Sequence, residues 1–332
     1  MSKKESPRAR LNRLLLMNFN QNERTALTVI RSLNDNYRVL ESLIGYEFEK
    51  ALKATSLSQV ITKNEAIKLA KDWEAVLKEN PQLLEISNKT LNTYRLTVQE
   101  AFKYSIDTHL TDLTLKNQAL VSEALTTAYY KNLGLIAYQI QEAAGVYQEI
   151  QNPHHAAQII NRVWVGTENF IDRFSKDKTK TLQALDVLLK DGFINNRSPQ
   201  EMTRLYQKAL KASELNARRL VLTETAHIFA EATADAYAFN EVEEYEILAT
   251  LDNRTSSICQ ELDGQRFKVS EKRVGVNYPP FHPCCRTTTV PVIPSWNRSG
   301  KRWSKDADGI RHKVDNMTYK EWEKTYLNPG IK

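Results

Sequence analysis

The sequence predicts a mainly α-helical protein that ends in a small module of mixed α and β structure. Apolar residues recur at steps of three and four through most of the chain, which is typical of amphipathic helices. Residues 1–244 contain five glycines and four prolines, whereas the much shorter stretch 245–332 contains five and six. Because glycine and proline interrupt regular helices, we expect long helices first and then a short β-sheet with a proline-rich loop.

The first two helices are predicted from an apolar face and a capping pattern. Between Leu11 and Ile44 the apolar residues keep to one helical face. Thr62 and Glu65 form a capping box, in which a hydroxyl and a carboxylate satisfy free N–H groups at a helix start. A second helix is therefore expected to begin after Thr62 and to end near Pro81.

Further helices follow along the chain. Residues 82–133 contain neither glycine nor proline, so one or two long helices are expected there, followed by another over 135–150. Ser198 and Glu201 repeat the capping pattern ahead of the next helix. A last, alanine-rich helix is predicted over residues 215–240.

The C-terminal module is predicted from a change of periodicity. Residues 245–251 alternate between apolar and other side chains at period two, which indicates a strand. Asp263-Gly264 is a strong turn signal, and residues from Phe267 onward can pair back onto the first strand. The β-branched run over 287–292 supplies a third strand.

These elements divide the chain into four parts. The parts are an extended helical N-terminal region over 1–150, a helical domain over 151–244, a β-containing module over 245–294 and a basic tail over 295–332. No window approaches 18 consecutive apolar residues, and the N-terminus lacks the apolar stretch of a secretory signal. We therefore expect a soluble cytosolic chain with no integral membrane segment.

The net charge of +6 is concentrated at the two ends of the chain. Residues 1–13 and 296–332 each carry +4, which leaves −2 for the residues between them. Clustered Lys and Arg are typical of sites that bind a polyanion such as DNA, although terminal basic residues also serve simply to keep a chain in solution. The predicted DNA-contact residues are Lys3, Lys4, Arg8, Arg10, Arg13, Arg298, Lys301, Arg302, Lys305, Arg311 and Lys313.

A set of short motifs in fixed order resembles a known family. The motif residues are Arg218, Glu224, Asp252, Arg254, Thr255, Asp263, Gly264, Pro279, Pro280, Pro283 and Arg286. With Trp164, Gly166 and Arg173 upstream, this order is similar to the phage head morphogenesis domain, found in minor head proteins of tailed phages, including those like the F protein of phage Mu. The resemblance covers roughly residues 160–293.

This resemblance implies a function for the chain. Members of the family are virion components associated with the portal and the capsid interior, and some bind the DNA or are ejected with it. The resemblance thus implies a minor capsid protein inside the virion, assembled in the host cytoplasm, that assists head morphogenesis or DNA ejection. Its expected partners are the portal protein, the inner capsid and double-stranded DNA without sequence specificity, with a second copy of the chain as a further candidate.

The motif region also contains all three cysteines of the chain, an odd number that argues against a disulfide framework. Many members of the family carry four thiols there, and Ser256 and Thr287 occupy two of those positions in this chain. The residues that remain at or near matching positions are Cys259, His282 and Cys285.

These three residues are of types that ligate zinc, with Cys284 or Asp263 as the fourth ligand. Adjacent Cys284 and Cys285 would have difficulty sharing one ion, however. We therefore expect no cofactor, with zinc on Cys259, His282 and Cys285 as the alternative. In a purely structural interpretation, the cysteines are small buried apolar groups and the motif Asp and Arg residues satisfy turns and pair internally.

Two other functions remain open at this point. A protein-only assembly or scaffold factor that docks on the portal would use the long helices for its contacts. A metal-dependent nuclease or hydrolase would use Asp252, Asp263 and His282, with Glu224 and His227 as an acid–base pair one helical turn apart. The sequence contains none of the common catalytic motifs, so we expect a protein that is not an enzyme.

Overall fold

The computed structural model describes residues 7–81, 96–145, 156–293, 301–305 and 310–327. As the sequence predicts, the fold is mainly helical, and short antiparallel strands lie near the C-terminus. The helices of the first three quarters are α1 (Pro7–Leu52), α2 (Lys63–Glu79), α3 (Val98–Ala144), α4 (Ala156–Ile160), α5 (Phe170–Ile194) and α6 (Pro199–Phe239). Across these described ranges, no helix is both long enough and apolar enough to cross a membrane.

Strands alternate with short helices in the last quarter of the chain. The elements are β1 (Glu244–Leu248), α7 (Ser257–Leu262), β2 (Arg266–Lys268), a 3₁₀ turn (Val269–Glu271), β3 (Thr288–Val292), β4 (Lys301–Lys305), β5 (Arg311–Asp315), α8 (Tyr319–Trp322) and a π-helical turn (Glu323–Leu327).

The predicted capping boxes are confirmed. The Thr62 hydroxyl accepts from the backbone N–H of Glu65, and the Glu65 carboxylate accepts from the backbone N–H of Thr62. Ser198 and Glu201 make the same reciprocal pair at the start of α6. Because each box satisfies donors that a helix start leaves free, the chain enters both helices where the sequence indicates.

Two predicted helix breaks are wrong. α3 continues through Gly134 into the segment that the sequence assigns to a separate helix, and α6 runs from Pro199 to Phe239 as one helix instead of two. A glycine inside a helix costs only about 1 kcal/mol relative to alanine. Leu133 and Ile136, on either side of Gly134, are both buried, and their packing outweighs that cost.

The chain forms two compact units. Unit 1 comprises Met1–Val29, Ser122–Asn169 and Arg219–Lys332, and unit 2 comprises Ile30–Val121 and Phe170–Arg218. In unit 1, Phe19 meets Phe229 edge to face with ring centroids 5.2 Å apart. In unit 2, Phe48 packs against Phe102 and stacks on Tyr206.

A three-stranded antiparallel sheet in unit 1 has the order β2-β1-β3. Tyr245 of β1 lies opposite Phe267 of β2 and Pro291 of β3. Four of the five residues of β1 are buried, since this strand is central and has a neighbour on each side. The three strands are those that the sequence predicts, but α7 lies between β1 and the predicted turn at Asp263-Gly264.

The described part of the predicted basic tail over 295–332 is folded. β4 and β5 form an antiparallel hairpin in which Arg302 lies opposite Val314. Val314 joins Leu251, Tyr319 and Trp322 in a buried apolar cluster. The end of the chain therefore contributes to the core of unit 1.

Candidate functional site

Three side chains of types that can ligate a metal lie close together beside the three-stranded sheet. Cys259 lies in α7, while His282 and Cys285 lie in the loop that leads into β3. The Cys259 Sγ is 3.7 Å from the Cys285 Sγ and 3.3 Å from the His282 Nε2, and the ligand atoms of all three lie within 4.8 Å of one another. In the part of the chain that the structure describes, no other group of three or more His, Cys, Asp or Glu side chains has metal-ligand spacing.

The cluster is enclosed on its protein side. Cys259 and Cys285 are both buried and pack with Ala249, which follows β1, and with Phe281. His282 is half-buried, and its Nδ1 is 2.9 Å from the carbonyl oxygen of Pro283. The imidazole therefore connects an apolar pocket to the protein surface.

Hydrogen bonds around the cluster shift the pKa values of the two thiols in opposite directions. The hydrogen bond from Cys259 lowers the pKa of Cys285 against the opposing effect of burial, and His282 lowers it further. The hydrogen bond with Cys285 raises the pKa of Cys259, and burial raises it further. Hydrogen bonding with Cys285 also raises the pKa of His282. Cys285 is thus the thiol that ionises first.

The cluster contains neither fourth ligand considered from the sequence. The Asp263 carboxylate binds Arg302 in a buried ion pair. The Cys284 Sγ faces the carbonyl oxygen of Arg219 at 3.9 Å, and its backbone N–H donates to Thr223. The Ser256 and Thr287 hydroxyls lie beside the Cys259 sulfur and oppose the rise of its pKa.

Asp252 holds the turn that precedes α7. Its Oδ1 accepts from the backbone N–H of Arg254 at 3.0 Å and from the Thr255 hydroxyl at 3.2 Å. The Arg286 guanidinium donates to both of its oxygens. Burial alone would raise the pKa of Asp252, but the Arg286 hydrogen bond and charge, assisted by the turn, lower it below its usual value.

Asp263 connects three parts of the module. It accepts from both Nη atoms of Arg302, from the backbone N–H of Ala249 at 2.7 Å and from the backbone N–H of Tyr319 at 2.6 Å. The exposed fraction of the side chain is 0% for Asp263 and 5% for Arg302. Such a bidentate pair with further donors fixes the positions of both groups.

Glu224 and His227 do not form an acid–base pair. The Trp164 indole donates to Glu224 at 3.0 Å, and its ring stacks on His227 with centroids 4.3 Å apart. Burial lowers the pKa of His227 to about 3, so the imidazole is neutral at physiological pH. Neither of its nitrogens hydrogen-bonds to a described residue.

Comparison with known proteins identifies a region that contains Glu224, Asp252 and Asp263. Residues 184–290 match the family described as phage Mu protein F like protein. The match confirms the resemblance over these residues, while the upstream Trp164, Gly166 and Arg173 lie outside it. No curated protein and no solved structure shows significant similarity to the chain.

The Mu F-like region, residues 184–290, runs from the second half of α5 into β3 and contains the whole Cys–His cluster. Of its motif residues, Pro279 and Pro280 are buried, whereas Arg218 and Pro283 are exposed. Gly264 has a φ of +81°, a conformation that favours glycine. The motifs therefore fall mainly on turns and buried contacts.

Outside the Mu F-like region, Arg302 lies in a buried ion pair and not on the surface where the sequence analysis expected it. The sequence predicts a DNA contact, but Arg302 is buried against Asp263 because the alternation of β4 turns it inward. The signal was present in Asp308-Gly309, a typical hairpin turn sequence. A hairpin at that turn would have placed alternate residues of 301–305 in the core.

The remaining predicted DNA contacts are dispersed. Arg10 is exposed and pairs with Glu142 at 2.8 Å, and Arg13 is half-buried. Lys305 is half-buried, while Arg311 and Lys313 are exposed on β5. Lys3, Lys4 and Arg298 lie outside the described residues, as do the side chains of Arg8 and Lys301.

Proposed function

We propose that this chain is a minor head protein of a tailed phage, a virion component that docks on the portal or the inner capsid. In this role it assists head morphogenesis or DNA ejection and contacts packaged DNA through phosphates. The match of residues 184–290 to phage Mu protein F like proteins carries the proposal. The ordered, buried motif contacts of the same region support it, since they build a rigid module suited to docking.

We further propose that the protein is not an enzyme. The acidic residues considered for catalysis are each held by a structural partner: Asp252 by Arg286, Asp263 by Arg302 and Glu224 by Trp164. General acid–base catalysis needs groups that converge on a substrate and have a pKa near the working pH. These carboxylates point into separate contacts within the fold.

Phosphate binding is assigned to exposed cations. Arg311 and Lys313 are exposed on β5, with side chains on the same face because they are two residues apart. Phosphate contacts carry no sequence information, so binding is expected to be indifferent to sequence and to weaken steeply with salt. Arg302 is not part of this surface, because its charge is neutralised in the core.

The test is binding of the full chain to random-sequence duplex DNA across a salt series. Arg311→Gln with Lys313→Gln should reduce the slope of log affinity against log salt by about 2, one for each lost phosphate contact. The matched control is Lys68→Gln with Lys71→Gln, which removes two exposed charges from α2 and should leave the slope unchanged. Absence of binding at low salt, or an unchanged slope in the β5 variant, would remove the DNA role.

A protein-only assembly factor is the second candidate. Val39, Leu43 and Tyr46 are exposed on α1 at 63%, 38% and 56%, and their spacing of four and three places them on one helical face. If this face binds a head protein, Val39→Glu with Tyr46→Glu should abolish incorporation into phage heads. DNA binding should be unaffected by that change, which separates the two roles.

A further inference from the structure

The geometry points to a zinc site formed by Cys259, His282 and Cys285. In a tetrahedral zinc centre with Zn–S bonds of about 2.3 Å and Zn–N bonds of about 2.0 Å, two sulfurs lie about 3.8 Å apart and a sulfur and a nitrogen about 3.5 Å apart. The observed separations are 3.7 Å between the two Sγ atoms and 3.3 Å from the Cys259 Sγ to the His282 Nε2. Two of the three ligand pairs therefore already stand close to the spacing that zinc ligation requires, and the third pair lies within 4.8 Å.

The orientation of His282 supports the assignment. Its Nδ1 lies 2.9 Å from the carbonyl oxygen of Pro283. A carbonyl only accepts hydrogen bonds, so Nδ1 carries the proton and Nε2 presents its lone pair to the thiols. Zinc-binding histidines are held by this kind of hydrogen bond from the other ring nitrogen.

A buried hydroxyl lies next to the cluster. The Ser256 Oγ lies toward the Cys259 sulfur, yet it makes no hydrogen bond of acceptable geometry with a described residue and has no solvent-exposed surface. A buried polar atom without a partner is destabilising. Three protein ligands leave one position of the zinc tetrahedron for water, and a water molecule there gives the Ser256 hydroxyl a partner.

The choice of ion follows from the donor atoms. Two sulfurs and an imidazole are typical zinc ligands, whereas magnesium and calcium require oxygen ligands. A disulfide between Cys259 and Cys285 is the competing use of the thiols. Their 3.7 Å separation far exceeds the disulfide bond length of about 2.05 Å.

Zinc here would join two distant parts of the Mu F-like region. Cys259 is 23 residues from His282 and 26 from Cys285. An ion that binds only the folded chain stabilises it, so α7 would be fastened to the loop before β3. This inference does not rest on the head-protein proposal.

The first experiment measures zinc in the purified full chain and follows cobalt(II) substitution by absorption. We expect one zinc per chain and a thiolate-to-cobalt charge-transfer band. His282→Gln should weaken zinc affinity at least 10-fold, because even outer-shell changes weaken metal affinity by about 10–100-fold. The matched control is Cys284→Ser, which removes the adjacent thiol that lies outside the cluster and should change neither zinc content nor the band.

A substitution at either buried cysteine also perturbs the packing of the fold, so the wild-type chain provides the deciding measurement. Chelation followed by zinc titration should restore one ion per chain and raise the midpoint of thermal unfolding. Zinc far below one per chain with no cobalt–thiolate band would overturn the proposal. Equal loss of zinc in Cys284→Ser, or a Cys259–Cys285 disulfide in the freshly purified protein by mass spectrometry, would overturn it too.

Discussion

At the residue scale, the motif residue Asp263 stabilises the fold by joining three segments of the chain. Its carboxylate joins the end of β1, the hairpin β4–β5 and the start of α8 through Ala249, Arg302 and Tyr319. The Asp263 carboxylate and the Arg302 guanidinium are both shielded from solvent, so the charge of each is neutralised only by the other. Removing one member of such a pair leaves an unbalanced buried charge.

Asp263→Asn should therefore lower the free energy of unfolding by about 3–5 kcal/mol. Urea unfolding followed by tryptophan fluorescence checks this, since Trp322 is buried in the adjacent cluster. Glu261→Gln, a change of the same kind at an exposed position of α7, should stay within about 0.5 kcal/mol of wild type. Equal stability of the two variants would show that the ion pair contributes little.

Asp252 leads to a pH prediction. Its pKa is lowered in the folded chain from an ordinary value of 3.8, mainly by Arg286 against the effect of burial. A carboxylate with a depressed pKa contributes stability that is present above its unfolded pKa and is lost as the pH falls through the folded value. The difference in unfolding free energy between wild type and Asp252→Asn should stay constant from pH 7 to about 5 and shrink below pH 4. A difference that does not change with pH would mean that the carboxylate charge is not what stabilises the turn.

At the scale of elements, two helical glycines differ in their surroundings. A Cβ added at Gly45 in α1 would lie 2.8 Å from the Tyr206 hydroxyl oxygen, and Tyr206 is stacked on Phe48. A Cβ added at Gly134 in α3 would meet nothing within 4 Å. The same substitution should thus have opposite effects in the two helices.

Gly134→Ala should raise the free energy of unfolding by roughly 0.5–1 kcal/mol, because alanine is the better helix former. Gly45→Ala should lower it by about 1 kcal/mol, because overpacking costs about 1–3 kcal/mol against the same helical gain. Thermal unfolding of the two variants tests the pair. A stabilised Gly45→Ala would mean that Tyr206 moves aside without loss.

For the whole molecule, the end of the chain completes unit 1. Val314, Tyr319 and Trp322 bury Leu251, and Arg302 neutralises Asp263. Truncation after residue 295 should therefore abolish cooperative unfolding of unit 1. The truncation exposes Leu251 and leaves the buried Asp263 carboxylate without its arginine partner. Arg311→Gln with Lys313→Gln, which keeps the hairpin, should unfold like wild type. A truncated chain that unfolds normally would mean that the hairpin is dispensable for the fold.

The sequence by itself determined the helical class, the capped starts of α2 and α6, the three strands around Tyr245 and the Mu F-like resemblance. Each of these features depends on neighbours within a few residues or on an ordered local pattern, so the spacing of residues along the chain is sufficient to predict it. Residue type and the family resemblance also indicated Cys259, His282 and Cys285 as candidate metal ligands, as the alternative to a chain without a cofactor.

Only the tertiary structure decided how these residues are used. Arg302 and Asp263 are 39 positions apart, and Cys259 and Cys285 are 26 apart, so no local pattern predicts that they meet. The continuity of α3 and α6 was likewise decided by burial of their flanks, which outweighs local breaks in pattern. Long-range packing sets burial, and burial determines whether an arginine binds phosphate at the surface or a carboxylate in the core.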